Sequence, residues 1–255
     1  MKKTLLAIAF GSAFSLPAIT PAVSAELELS GNLSLVSDYR FRGISQTNKE
    51  MALQGGFDLA HSSGFYAGTW ASNVDGWANP GGSMEIDLYA GFAGELPAGV
   101  GYDVGAIAYH YPGNNPDAGS PKNNSREYYL GFSYSVLSYK YSYAPTTWFG
   151  VPGSKKSYYH DLGVEFEIVP GLTASAHYGM QTIKGTSAGV LGFDDYSVGL
   201  SYDLGNDFAI GLTYSDVSFD NKAAGAAWFS STTAVTRSPK KLYEDAVVVS
   251  ISKSF

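Results

Sequence analysis

The sequence contains no cysteine, so an exported form of the chain holds together without disulfides and depends on hydrogen bonding and burial. After the first residues no apolar run reaches the roughly 20 residues a spanning helix needs, and the mean hydropathy is −0.06. A helical membrane protein is thereby excluded. Basic residues are scarce: 16 Lys and Arg stand against 23 Asp and Glu, for a net charge of −7. Nothing forms the basic cluster that a phosphate backbone requires, so no nucleic-acid partner is expected. Only four histidines occur: His61 in an expected turn, His110 near a loop, His160 on an apolar strand phase and His177 on a polar one. Without cysteine or a close His partner they make no metal set. No P-loop, dinucleotide fingerprint or Gly-x-Ser-x-Gly elbow is present. No enzyme activity and no cofactor are expected.

What is present begins with an export signal. Met1-Lys2-Lys3 is basic, Leu5 to Leu16 is a short apolar run, Pro17 and Pro21 follow it, and Val23-Ser24-Ala25 offers small or compact residues at a cleavage site. Residues 1–25 are read as a signal peptide cut after Ala25, and 26–255 as the mature domain. No cysteine follows the cut, which excludes lipoprotein acylation.

The mature sequence alternates. Leu27, Leu29, Leu33, Leu35, Tyr39 and Phe41 fall on one phase, with Glu28, Ser30, Asn32, Ser34, Asp38 and Arg40 on the other. Met51, Leu53, Phe57 and Leu59 oppose Gln54, Gly56 and Asp58, and Met84, Ile86, Leu88, Ala90 and Phe92 oppose Glu85, Asp87 and Tyr89. Period two places one face in an apolar medium and the other in water, because ionised groups stand mid-strand. About twelve such segments are expected, near 27–42, 50–61, 64–74, 83–93, 100–111, 125–135, 137–146, 157–168, 171–183, 193–204, 207–219 and 243–255. Tight turns at 61–64, 94–99, 135–136, 169–171 and 205–207 carry Gly, Pro, Asn and Ser chemistry. Longer connections at 43–49, 75–82, 112–124, 145–156, 184–192 and 220–242 alternate with them. The fold class expected is all-β, a transmembrane antiparallel up-and-down barrel of about twelve strands, its short turns periplasmic.

Two further patterns agree with an outer membrane. Val247, Val249, Ile251 and Phe255 recur on one phase and end on an aromatic, the form of an insertion signal read by the outer-membrane assembly machinery, although Lys253 interrupts it. Among 19 Tyr, Tyr128 and Tyr134 bracket Leu130 and Phe132, Tyr196 and Tyr202 bracket Val198 and Leu200, and Tyr139, Tyr141 and Tyr143 share a face. Such rings settle at lipid headgroups.

The stretches Leu35-Val-Ser-Asp-Tyr-Arg-Phe-Arg-Gly-Ile-Ser-Gln-Thr47, Gln54-Gly-Gly-Phe-Asp58 and Ser63-Gly-Phe-Tyr-Ala-Gly-Thr-Trp-Ala-Ser-Asn73 resemble the TorF family of porins. The resemblance implies an exported outer-membrane barrel. It carries no catalytic motif and names no solute.

The chemistry-bearing residues are charges on the polar phase. Asp38, Arg40 and Arg42 stand together at the end of the first expected strand, either as a charged constriction that orders solutes or as an ion pair holding the strand in register. Asp58, Glu85, Asp87 and Glu127, with Asp103, Asp161, Glu165, Asp195 and Asp203, outnumber Lys140 and the arginines, which favours cations in a narrow aqueous pore. Polar-phase glycines such as Gly56, Gly105, Gly131, Gly163, Gly199 and Gly211 either leave space or admit close strand approach. Ser175 and His177 share a phase, but serine is abundant and chance adjacency is the better account. The expected function is a passive channel for small hydrophilic solutes or ions, with outer-membrane lipids around it. The alternatives are a closed structural, adhesive or receptor barrel working through its extracellular loops, then an outer-membrane lipid hydrolase, then a soluble periplasmic barrel.

Overall fold

The computed structural model of the chain describes residues 27–115, 122–186, 189–220 and 240–255; the expected signal peptide, 1–25, lies outside them. Twelve strands close into one antiparallel barrel: β1 (Leu27–Val36), β2 (Ala52–His61), β3 (Phe65–Asn73), β4 (Met84–Leu96), β5 (Val100–His110), β6 (Ser125–Tyr134), β7 (Leu137–Ala144), β8 (Ser157–Val169), β9 (Leu172–Thr186), β10 (Gly189–Gly205), β11 (Phe208–Phe219) and β12 (Ala246–Ser254). Each strand pairs with its sequence neighbours. Closure comes from β1, which pairs with β2 from Leu27↔His61 to Val36↔Ala52 and with β12 from Asn32↔Ser254 to Val36↔Ser250. A closed ladder satisfies backbone groups inside hydrocarbon, where no water could, and leaves no edge. The one described helix, α1 (Lys240–Tyr243), precedes β12.

The two phases of every strand separate as the alternation requires. Leu29, Leu53, Phe57, Leu88, Val198 and Val249 stand exposed on the outer surface, while Glu85, Asp87, Glu127, Asp195 and Thr213 are buried within the barrel. A one-residue slip of register would reverse both sets, and this pins the pairing. The tyrosines expected at the headgroup levels, Tyr128, Tyr134, Tyr196 and Tyr202, are all on the exposed outer face. Short turns use left-handed residues where expected, among them Gly64, Ser135, Gly171, Asn206 and Asp207.

Three segments differ from the sequence expectation. β1 ends at Val36 rather than 42: the amide of Ser37 still donates to the Val249 carbonyl at 2.9 Å, and then the chain leaves the wall and turns into the lumen. Tyr39 and Phe41, expected on the outer face, are therefore buried inside. Period two continues through them because the in-turned segment is itself a small hairpin. Second, the connection expected at 184–192 is largely sheet, since β9 and β10 pair onward to Thr186↔Gly189 across a bulge after Ile183. Third, β12 begins at Ala246 rather than 243, with α1 occupying the positions before it.

Candidate lumenal site

Residues 38–48 are all buried within the barrel. Arg40–Phe41 pairs with Ile44–Ser45, a hairpin whose turn is Arg42-Gly43. Both turn residues have positive φ, 48° and 76°, the geometry of the tight turns that hairpins prefer. Gly43 is required twice over: its φ is left-handed, and a Cβ there would stand 2.8 Å from Cβ of Asp195 and 2.9 Å from Cβ of Val217. The hairpin tip has crossed the lumen to touch β10 and β11.

Charged groups anchor it at both ends. Arg42 donates to both oxygens of Glu127 on β6, Nη1 to Oε1 at 3.0 Å and Nη2 to Oε2 at 2.6 Å, and Nη1 also reaches Oε1 of Gln181 on β9 at 2.5 Å. Its guanidinium lies 4.0 Å from the ring centroid of Tyr159 on β8. Burial alone would weaken its hold on the proton, but the adjoining Glu127 carboxylate more than offsets this and raises its pKa above the ordinary arginine value. Arg40 donates from Nε to Oδ2 of Asp38 at 3.0 Å, from Nη1 to the Ser215 carbonyl at 3.0 Å, and to the carbonyl of Glu244. Asp38 is completed by the hydroxyls of Ser45 and Thr47, which donate to Oδ1. An aromatic layer packs around this hairpin: Phe41 contacts Tyr109 and Phe149 edge-on, and Tyr39 contacts Trp70 at 5.3 Å. Trp77 and Trp148, from the 75–82 and 145–156 connections, join the same core.

Beyond the tip, polar groups continue around the wall. His177 on β9 bonds Asp161 from Nδ1 at 2.9 Å and Asp195 from Nε2 at 2.8 Å, and Tyr159 donates to Asp195 at 2.9 Å. An imidazolium, donating at both nitrogens, satisfies this arrangement. Lys140 stands directly opposite Asp161 in the β7–β8 ladder. Farther round, Tyr66 donates to Asp103 at 2.6 Å and meets the Tyr129 hydroxyl, and Tyr89 donates to Asp58.

Asp38, Arg40, Arg42 and Glu127 thus come together through the in-turned hairpin, rather than from strand ends. Asp58 and Lys140 line other parts of the wall, half-buried. Glu85 and Asp87 are wholly buried beside the aromatic layer. Among the polar-phase glycines, Gly105 seats a ring, the Tyr129 hydroxyl occupying the place of a Cβ, whereas Gly56 lies close against the Thr69 carbonyl of the neighbouring strand, Gly163 and Gly199 face serine or threonine hydroxyls, and Gly131 has only ordinary contacts. Ser175 and His177 do share the inner face, yet both ring nitrogens face carboxylates. Among the described residues no group of three or more His, Asp or Glu is placed to hold a metal. Sequence reasoning missed Tyr159 and Gln181 as partners of Arg42. Their inward parity was legible, but what they meet was not.

At the carboxyl terminus Val247, Val249, Ile251 and Phe255 are all exposed on the outer face. Lys253, on the same phase, bends its ammonium to the Asn206 carbonyl and Asp207 carboxylate at the barrel rim, the behaviour of a long basic side chain at a membrane boundary.

A closed wall, apolar outside and charged within, is the architecture of the porin-like channels of the bacterial outer membrane, and the protein is a transmembrane barrel of that membrane. The chain belongs to the family described as "Bacterial protein of unknown function (Gcw_chp)", whose model matches residues 21–255. It is similar in fold to an outer membrane channel from Pseudomonas putida F1, at 10% identity and a TM-score of 0.54, covering 94% of this chain and 99% of that one. The KdgM porin gives 12% identity and a TM-score of 0.53 over 89% and 99%, and the NanC porin 10% and 0.51 over 89% and 99%. KdgM has also been solved in complex with disordered oligogalacturonate, at a TM-score of 0.51 to this chain. No curated protein matches the sequence.

Proposed function

We propose that the protein is a passive outer-membrane channel for small hydrophilic solutes or ions, with a preference for cations and with residues 38–48 as its constriction. The observation that carries this reading is the separation of faces: apolar side chains cover the outer wall, polar and charged groups stand among the inward ones, and inward carboxylates outnumber the bases. Asp58, Glu85, Asp87, Asp103, Asp161 and Asp195 face a lumen whose arginines, Arg40 and Arg42, are each held by a carboxylate. Such a wall attracts cations and repels anions. An anionic oligosaccharide of the kind named with KdgM fits it poorly. The resemblance of the amino-terminal block to TorF porins supports the channel reading. Lipids would cover the apolar exterior, and the assembly machinery would read the strand that ends at Phe255.

Burial of the whole hairpin favours a second reading, a closed barrel that works through its extracellular loops. Planar-bilayer recording separates the two. A channel gives unitary conductance with a reversal potential displaced toward the cation under a salt gradient. The closed barrel gives none, either as the wild type or with residues 38–48 replaced by a short Gly-Ser linker.

A further inference from the structure

Most lumenal carboxylates have partners: Glu127 has Arg42, Asp38 has Arg40, and Asp161 and Asp195 have His177. Glu85 and Asp87 differ. They project inward from alternate positions of β4 and are 1% and 0% exposed, yet Oε2 of Glu85 and both carboxylate oxygens of Asp87 make no hydrogen bond. A third oxygen donor comes from the in-turned segment. Tyr39, on that segment, is 4% exposed; its hydroxyl points toward Glu85 outside good hydrogen-bond geometry, and the Tyr111 hydroxyl faces the same carboxylate. Its ring is held at 5.3 Å from Trp70, the cross-strand neighbour of Asp87. Tyr109, opposite Asp87 on β5, and Tyr111 are the neighbouring rings. The lumenal arginines are committed elsewhere.

Buried carboxylates short of donors are strongly unfavourable in the charged form, and either take up a proton or are accompanied by a cation. These donors are all oxygen, two of them anionic, the set that hard cations take and that copper or zinc, seeking imidazole or thiolate, do not. We propose that Glu85, Asp87 and the Tyr39 hydroxyl form a binding site for a hard divalent cation, calcium fitting best, which ties the lumenal segment to the barrel wall. The charges then balance, and the remaining coordination positions fall to backbone oxygens or water. The site does not depend on conduction, since a closed barrel would hold the ion equally well.

The test uses the full-length mature barrel folded in detergent and stripped with chelator. Terbium, a calcium surrogate, is titrated while its luminescence is excited through the adjoining Tyr39 and Trp70. The expected result is saturable binding at one ion per barrel, displaced by CaCl2 but not by NaCl of equal ionic strength. In the double variant Glu85→Gln/Asp87→Asn the affinity should fall by about tenfold or more, because calcium sites are tuned by ligand charge. Tyr39→Phe, which keeps the ring, should weaken it by a factor on the order of ten. Chelated, the double variant should melt above the chelated wild type, and CaCl2 should raise the melting point of the wild type alone. The proposal is overturned if the wild type neither binds terbium nor gains stability from millimolar CaCl2, if NaCl displaces the ion as well as CaCl2 does, or if the double variant binds equally. Should the double variant fail to reach the heat-modifiable folded form, Tyr39→Phe decides: unchanged affinity there overturns the site.

Discussion

The guanidinium of Arg42 grips the carboxylate of Glu127 by two parallel hydrogen bonds, 3.0 and 2.6 Å, across 85 residues of sequence and with both side chains buried. The pair joins the tip of the lumenal hairpin to β6. Arg42→Ser leaves Glu127 buried without a counter-charge, and breaking a buried pair in this way costs about 3–5 kcal/mol. The ladder hydrogen bonds of the wall are untouched, so the loss should fall on docking of the hairpin. The expected signs are a heat-modifiable barrel, larger or noisier conductance, and protease cleavage within 38–48. Replacing both partners, Arg42→Met with Glu127→Leu, should restore most of the protection; if it protects no better than Arg42→Ser alone, the pairing is not what docks the hairpin.

Exposure separates this pair from a second one. Lys49 and Glu244 meet at 3.4 Å with solvent around both side chains. Lys49→Ala should change stability by less than about 1 kcal/mol, less still in high salt. A melting shift comparable to that of Arg42→Ser would contradict the weight placed on burial.

Arg40 and Arg42 also set the local field. If the channel conducts, Arg40→Ser/Arg42→Ser removes the positive charge that answers Asp38 and Glu127 and should move the reversal potential further toward the cation. Unchanged reversal potentials in a variant that still assembles would remove the arginines from the conduction path.

Phe255 closes the barrel on the lipid side. Its backbone exchanges hydrogen bonds with Gly31 at 2.7 and 3.0 Å, and its ring lies 2.5 Å from where a Cβ on Gly31 would stand. Deleting Phe255 should lower the assembled fraction more than the exported fraction, because it removes both the closing pair and the terminal aromatic. Gly31→Val should weaken closure by displacing the ring. Undiminished heat-modifiable protein from both variants would show that neither the seam nor the terminal ring matters to assembly.

Mass analysis of the mature protein should find Glu26 as the first residue, giving Glu-Leu-Glu-Leu. A start several residues away, or an intact Met1, would show the cleavage region misread.

Most of the wall was legible in the sequence. Parity assigned Leu53, Phe57, Leu88 and Val249 to lipid and Asp58, Glu85, Asp87 and Glu127 to the interior, because alternation is a local property of extended backbone and needs no knowledge of the partner strand. Turn chemistry at Gly64, Gly171 and Asn206-Asp207 located the short side for the same reason. Parity could not show that the backbone would leave the sheet at Ser37, since a strand and a small hairpin carry the same period. It also could not distinguish a glycine that opens space from Gly105, whose missing Cβ is filled by the Tyr129 hydroxyl from the neighbouring strand.

The sequence by itself therefore determined which side chains face lipid and which face inward, and with them the closed twelve-stranded wall, because both follow from local periodicity and the cost of unpaired backbone in a membrane. Only the tertiary structure decided the course of residues 38–48. Their inward turn is stabilised by Glu127, Tyr159, Gln181 and the space beside Asp195 that Gly43 fills. Those groups lie far along the chain and share one lumen only once β1 has closed on β12.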